Sequence, residues 1–350
     1  MVAAVNWSEL FPGKWSLFIF ISYMALFVNQ GIIVTWSQSK GEYDYNIVTV
    51  VLMTEVLKLI VSGSLYCWDQ GISLLFREIV QHKHVLLLYM IPSFLYCIYN
   101  NLAFVNLAVF DPTTYYLLLQ FRVVMTGIIF QFVFNKRLST KQWLSLVLLT
   151  LGCMMKNLNF GYGSASFFST FQLNINTLFI FVQIISSCLA GVYNEYLLKA
   201  QGSKINIFLQ NVFMYGDSIL CNFFILGLQG NVPAAFENVG GSILLKPKVL
   251  AVMVNNAAIG ITTSFFLKNL NSILKTFASA LELVFTAVLC WLLFGIPIYL
   301  NTVIAITMVS YAVLLYSQNP VNNSNQRVHS DAEDKENLLR STHNKTITNV

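Results

Sequence analysis

The chain has 350 residues, of which 56% are hydrophobic and only 10% charged, with a formal net charge of +5. An ordinary soluble domain is about a quarter charged, so this chain lacks the polar surface to cover a water-facing body of its size. That excludes a soluble enzyme, a nucleic-acid-binding domain and a disordered scaffold.

Residues 1–14 form a short N-tail, and ten apolar segments follow at 15–36, 46–67, 85–106, 113–134, 142–158, 176–198, 206–228, 249–268, 273–294 and 298–317. Backbone polar groups in lipid must be satisfied within their own segment, which favours helices. The runs are continuous rather than alternating at every second residue, which argues against a barrel. The first run has membrane-spanning length, about 20 residues, rather than the short core of a removable signal, and is expected to stay as the first helix. A linker at 159–175 separates the first five segments from the last five. From 318 to 350 the chain is polar, rich in Asn and Ser, and expected to be disordered. The six cysteines (Cys67, Cys97, Cys153, Cys188, Cys221 and Cys290) all fall inside apolar runs and read as small core hydrophobes.

Ten helices put both termini on one side. With that side cytosolic, the inner connections hold nine Lys and Arg (Lys14, Arg77, Lys83, Lys136, Arg137, Lys141, Lys199, Lys204 and Lys268). The opposite side holds four (Lys40, Lys156, Lys246 and Lys248), so the bias places both termini in the cytosol. Internal repetition is visible at an offset of 160 residues. Val124, Thr126 and Phe134 match Val284, Thr286 and Phe294, and the following turns, 136–141 and 296–301, have equal length. Five helices followed by five similar ones must be oppositely oriented. The expected fold is therefore an all-α membrane protein with ten transmembrane helices in two inverted five-helix repeats, 15–158 and 176–317, a signature of alternating-access carriers.

Charges inside such spans are costly and mark pathways. Glu55 and Lys58 lie three apart on one helix face, as a structural ion pair or as part of a pathway. Glu195 and Lys199 read as an interfacial pair, Lys268 as interfacial or functional, and Asp217 as a local cap or a site residue. Arg122, placed mid-span in the fourth helix, calls for an anion or a wet cavity, and Glu282 is its counterpart in the ninth. Lys275 flanks the turn before that helix. Tyr115, Tyr116 and Gln120 precede Arg122, and Tyr96, Tyr99, Asn100 and Asn101 lie in the third helix. Aromatic rings for stacking, amides for edge hydrogen bonds and cations for phosphate suit a nucleotide ligand.

Other chemistries lack their residues. The chain has no Walker lysine motif and no Ser-centred nucleophile elbow, and His82 and His84 read as a solvated loop. The long loops near 159–175 and 229–247 hold only Glu237 as an acid, which speaks against a membrane glycosyltransferase. The first span carries no acid of the kind a proton-coupled exporter uses. No charge ring suggests a channel. A non-transporting scaffold of the same fold stays open. No enzyme activity, cofactor or metal is expected.

Several stretches together resemble the nucleotide-sugar transporter family. They are Thr54–Glu55–Val56–Leu57–Lys58–Leu59, Tyr99–Asn100–Asn101–Leu102–Ala103–Phe104, Tyr115 to Arg122, and Leu138 to Trp143. Ala190–Gly191–Val192–Tyr193–Asn194–Glu195, Lys275–Thr276–Phe277–Ala278 and Leu293–Phe294–Gly295 extend the likeness in consistent order over roughly 15–317. The branch is that of CMP-sialic acid, UDP-galactose and UDP-N-acetylglucosamine carriers, with UDP-galactose the nearest. The resemblance implies a Golgi membrane protein exchanging a cytosolic nucleotide sugar for a lumenal nucleoside monophosphate. It implies that Arg122 and Lys275 occupy phosphate-binding lysine positions and that Lys58 is the lysine of the Glu-x-x-Lys pair. It also implies that Tyr96, Tyr115 and Asn211 face base and ribose. Gln120, Asn100 and Glu282 complete the expected substrate site, although Glu282 stands where relatives carry a small apolar residue. Arg at 122 permits a bidentate phosphate contact where Lys offers a point charge. Expected partners are the nucleotide sugar, the nucleoside monophosphate and the bilayer, not nucleic acid. Further candidates are a second copy of the chain and a sorting adaptor reading Asp334, Leu338 and Leu339. Asn6, Asn322 and Asn344 fit the glycosylation acceptor pattern but fall on the expected cytosolic side.

Overall fold

A computed structural model describes residues 6–37, 47–109, 115, 118–157, 175–228, 246–294 and 298–321. The tail residues Asp334, Leu338 and Leu339, with acceptors Asn322 and Asn344, lie outside the described residues. All regular structure among the described residues is helical.

The order is α1 (Trp7–Leu10), α2 (Ser16–Ser37), α3 (Ile47–Gln70), α4 (Ile72–Gln81), α5 (Lys83–Val109) and α6 (Arg122–Phe134). It continues with α7 (Thr140–Asn157), α8 (Ile175–Tyr196), α9 (Ile207–Leu228), α10 (Pro247–Asn269), α11 (Ser272–Phe294) and α12 (Leu300–Gln318). Five helical stretches are long and apolar enough to cross a membrane: Thr49–Gln70, Lys83–Ala103, Thr177–Gln201, Pro247–Asn269 and Leu300–Gln318. The chain is thus an all-helical, multi-pass membrane protein.

Local chemistry sets several ends. Asn6 caps α1 by accepting from the Glu9 N–H at 3.4 Å. Asn135, at φ 51°, ends α6 in the left-handed conformation, and the Gln131 side chain accepts the Leu138 N–H at 2.7 Å. Pro247 opens α10, where its missing N–H costs nothing. Asn271 caps α11 by accepting from the Leu274 N–H at 2.7 Å. α8 continues into a π-helical turn, Leu197–Gln201, closed by the Gly202 N–H on the Leu197 carbonyl at 2.7 Å.

The helices pack in defined pairs: α12 on α7, α8 on α5 and α6, α10 on α2 and α3, α9 on α3 and α5, and α11 on α2 and α6. The largest core joins Tyr23, Phe130, Leu146, Phe266, Phe277, Val309 and Tyr316, with Phe277 stacked on Tyr316 at 4.3 Å between centroids. Cys97, Cys153, Cys188 and Cys221 are buried free thiols. The two described ends of the chain meet: the Asn6 N–H donates to the Ser317 carbonyl at 3.0 Å. Beside them Gln142, at the start of α7, donates to the Asn319 carbonyl at 2.9 Å.

Two features depart from the sequence expectation. The connection after α3 contains a helix, α4, where a loop was expected. The fourth segment does not carry Arg122 in mid-helix: the chain turns at Gln120–Phe121, and α6 begins at Arg122.

Candidate functional site

A cavity of about 190 Å³ lies between α5, the start of α6, α8 and the first turns of α11. Its polar lining is Tyr96, Gln120, Arg122, Thr126, Ser187, Cys188, Ser272, Lys275, Thr276 and Ser279. Two cations therefore face one cavity from helices far apart in sequence.

The turn before α6 places Arg122 at the start of that helix, where the Val123 N–H donates to the Gln120 carbonyl at 3.1 Å and the Met125 N–H to the Phe121 carbonyl at 3.0 Å. The Arg122 carbonyl accepts from Thr126 Oγ1 at 2.7 Å and from Cys188 Sγ at 3.2 Å, which fastens the residue to α8. Lys275 sits in the first turn of α11 and is within electrostatic reach of Arg122 and Glu195. Neither Arg122 nor Lys275 forms an ion pair among the described residues, whose two salt bridges are Lys58–Glu55 and Lys199–Glu195. Two neighbouring cations with no carboxylate in salt-bridge contact make a ready anion site, because their mutual repulsion is relieved when an anion enters.

Glu195 holds the far wall. It is 1% exposed, not at the surface as its spacing from Lys199 suggested. One carboxylate oxygen accepts from Lys199 Nζ at 2.7 Å and the other from the Ser272 N–H at 2.7 Å. Lys199 Nζ also donates to the Leu270 carbonyl. This joint ties the end of α8 to the turn between α10 and α11, and so fixes the helix start that carries Lys275. In the loop after α6, burial and then the nearby Lys199 hold the Lys136 ammonium below its ordinary pKa, partly opposed by Glu195.

Of the sequence-derived residues, the structure brings Tyr96, Gln120, Arg122 and Lys275 to the cavity. Tyr115 is buried beside it: its hydroxyl accepts from Gln183 Nε2 at 2.8 Å, and Gln183 accepts from Asn106 at 2.7 Å. Lys58 pairs with Glu55 at 2.6 Å and lies 5.3 Å from the Tyr215 ring centroid. Its stem runs against Gly260, where a Cβ would stand 2.7 Å from Lys58 Cε. Asn211 is buried on α9 with its amide nitrogen unpartnered among the described residues. A second polar group, on α3, α9 and α10, is thus separate from the lining of the cation cavity. Asn100 is exposed on α5, and the side chain of Glu282 lies outside the described residues. The sequence reading did not place Thr126, Ser187, Cys188, Ser272 or Ser279 in the site, because small side chains in apolar helices do not announce which cavity they line.

The family model described as Nucleotide-sugar transporter matches residues 15–317. The chain is 56% identical to "UDP-galactose transporter senju" of Drosophila melanogaster, over 91% of this chain and 90% of that protein. It is 31% identical to "CMP-sialic acid transporter 1" of Oryza sativa subsp. japonica, over 84% of this chain and 91% of that one. A solved crystal structure aligns with a TM-score of 0.62 at 11% identity, covering 88% of this chain and 98% of the other, which shows likeness of fold alone.

Proposed function

This chain belongs to the nucleotide-sugar transporter family, and on that premise we propose that it carries UDP-galactose into the Golgi lumen in exchange for UMP. The substrate follows from the 56% identity to a relative named as a UDP-galactose transporter. The observation that carries the mechanism is the shared cavity of Arg122 and Lys275, a pair of cations on two helices with no carboxylate paired to either among the described residues.

The diphosphate binds Arg122 and Lys275, the guanidinium in bidentate fashion. Tyr96 stacks on the base, with Gln120 at its edge. Tyr115, braced by Gln183 and Asn106, backs this wall. Asn211 serves the base and ribose, and Lys58, paired with Glu55, lies toward the diphosphate. The cavity's 190 Å³ is below the roughly 300–1,000 Å³ of ligand pockets. Its closed form therefore grips part of the ligand, and the whole nucleotide sugar enters when the helices part.

The two halves are α2, α3, α5, α6 and α7, and then α8 to α12, with α4 lying outside the scheme. The packing supports an inverted repeat. Exchanging the first five helices for the last five turns α8–α5 into α2–α10, α9–α5 into α3–α10, and α8–α6 into α2–α11, all of which are packed pairs. The pairs α7–α12, α3–α9 and α6–α11 map onto themselves. Rocking of one half against the other exposes the site alternately. Strict exchange follows because an empty, dry cavity leaves two cations uncompensated, so the unloaded carrier reorients slowly.

The test is uptake into liposomes holding the purified protein and preloaded with UMP, with labelled UDP-galactose, UDP-N-acetylglucosamine and CMP-sialic acid offered in parallel. Saturable UDP-galactose uptake that requires internal UMP is the expected result. Preference for another nucleotide sugar would keep the mechanism and change the substrate. No uptake by folded protein would leave the scaffold reading.

A further inference from the structure

Helix α4 has no place in the transport cycle, yet its chemistry is sharply divided around its axis. It joins two stretches long and apolar enough to cross a membrane, Thr49–Gln70 and Lys83–Ala103, through single residues: Gly71 before it and His82 after it. Gly71 sits at φ 87°, a conformation that side chains resist, so the chain turns abruptly out of α3. Connections that short hold a helix at the mouth of its neighbouring spans, at the level where lipid meets water.

Nine of the ten residues of α4 form three strips. Leu75 and Ile79 pack inward on the cluster of Tyr66, Val85 and Tyr89. Glu78 is fixed there too, accepting from the Tyr66 hydroxyl at 2.7 Å. Ile72, Phe76 and Val80 recur at every fourth residue and are 65%, 65% and 71% exposed. Trp68, in the last turn of α3 before the bend, is 94% exposed. Ser73, Arg77 and Gln81 form the remaining, polar strip and are exposed. Lys83 is exposed just beyond. The nearby carboxylates have hydrogen-bond partners, Glu78 as above and Asp69 with Gln70 at 2.9 Å, whereas Arg77 and Lys83 form no salt bridge among the described residues.

From this division we propose that α4 is an interfacial helix that docks on the bilayer surface. The ridge of Ile72, Phe76 and Val80 enters the acyl boundary beside the exposed Trp68 of α3, and Arg77 with Lys83 binds anionic phospholipid headgroups. A helix with one apolar edge, one polar edge and little length lies in the interface rather than across it. Trp is at home at that depth. Lipid is the occupant because α4 is joined through single residues to stretches long and apolar enough to cross a membrane on both sides, which holds its exposed ridge at the bilayer.

The experiment uses the full chain in vesicles of phosphatidylcholine with phosphatidylserine. Phe76→p-benzoylphenylalanine and Gln81→p-benzoylphenylalanine are irradiated separately, and adducts are read by mass spectrometry. Acyl-chain adducts at position 76 and their absence at 81 are expected. No lipid adduct at 76, equal adducts at both positions, or a cross-link from 76 to a second copy of the chain would each overturn the docking. In parallel, Arg77→Gln and Lys83→Gln are compared with the unaltered chain for retained phosphatidylserine against phosphatidylcholine by native mass spectrometry. The preference is expected to fall roughly fivefold for each cation removed. An unchanged preference would overturn the headgroup assignment. Both positions are exposed, so folding is preserved, and UMP-driven uptake serves as the check.

Discussion

Arg122 is the residue on which transport turns. A guanidinium offers two parallel N–H donors to a phosphate, where an ammonium offers a point charge. Arg122→Ala is expected to lower exchange by at least about tenfold, the cost of roughly one charge-assisted hydrogen bond, with thermal stability kept. Arg122→Lys is expected to retain part of the activity with a raised KM. Counterflow of UDP-galactose against UMP measures both, and full exchange by folded Arg122→Ala protein would remove the residue from the site. Arg122 and Lys275 were legible in the sequence because a charge in an apolar run is conspicuous. Glu195 was visible too, but its place was not. Spacing alone pairs it with Lys199, whereas its second oxygen takes the Ser272 N–H, 77 residues away in sequence. No local pattern announces that contact.

Among the elements, the ends of α8 and α11 meet at that carboxylate. A buried charge losing its partners costs roughly 3–5 kcal/mol. Glu195→Gln keeps acceptor capacity toward Ser272 and cancels the pairing with Lys199, so it is expected to cost less than Glu195→Ala. Removing Lys199 as well is expected to recover part of the loss, because no uncompensated ammonium remains. Melting temperatures of the single and double variants in detergent form the thermodynamic cycle, and strictly additive losses would show that the pair is not coupled. The sequence yielded the long helices through their apolar length, but two elements escaped it. α4 is too short and too charged for a hydropathy window. The break before α6 falls at Gln120–Phe121, where neither Gly nor Pro marks it. Tertiary contacts, Cys188 on the Arg122 carbonyl among them, hold that turn.

For the molecule as a whole, orientation is the open physical variable, and charge is what sets it. Tags on both termini are expected to be reached by antibody in cells whose plasma membrane alone has been permeabilised. Asn6, Asn322 and Asn344 are expected to carry no glycan. A glycan on any of them, or protection of either tag, would invert the assignment. That placement is an expectation drawn from the distribution of Lys and Arg alone. The pairing of helices was not legible in the sequence, because α2 finds α10 and α7 finds α12 across most of the chain's length.

The meeting of Asn6 with Ser317 has a consequence for chain order. A few residues linking Val321 to Asn6 would close the chain into a ring without moving a helix. Opening that ring between α7 and α8 would give a circular permutant in which the second half is synthesised first. On the ten-span reading, its new ends would emerge on the opposite face of the membrane. Every helix would keep its neighbours, so the architecture depends on which surfaces touch and not on which half the ribosome makes first.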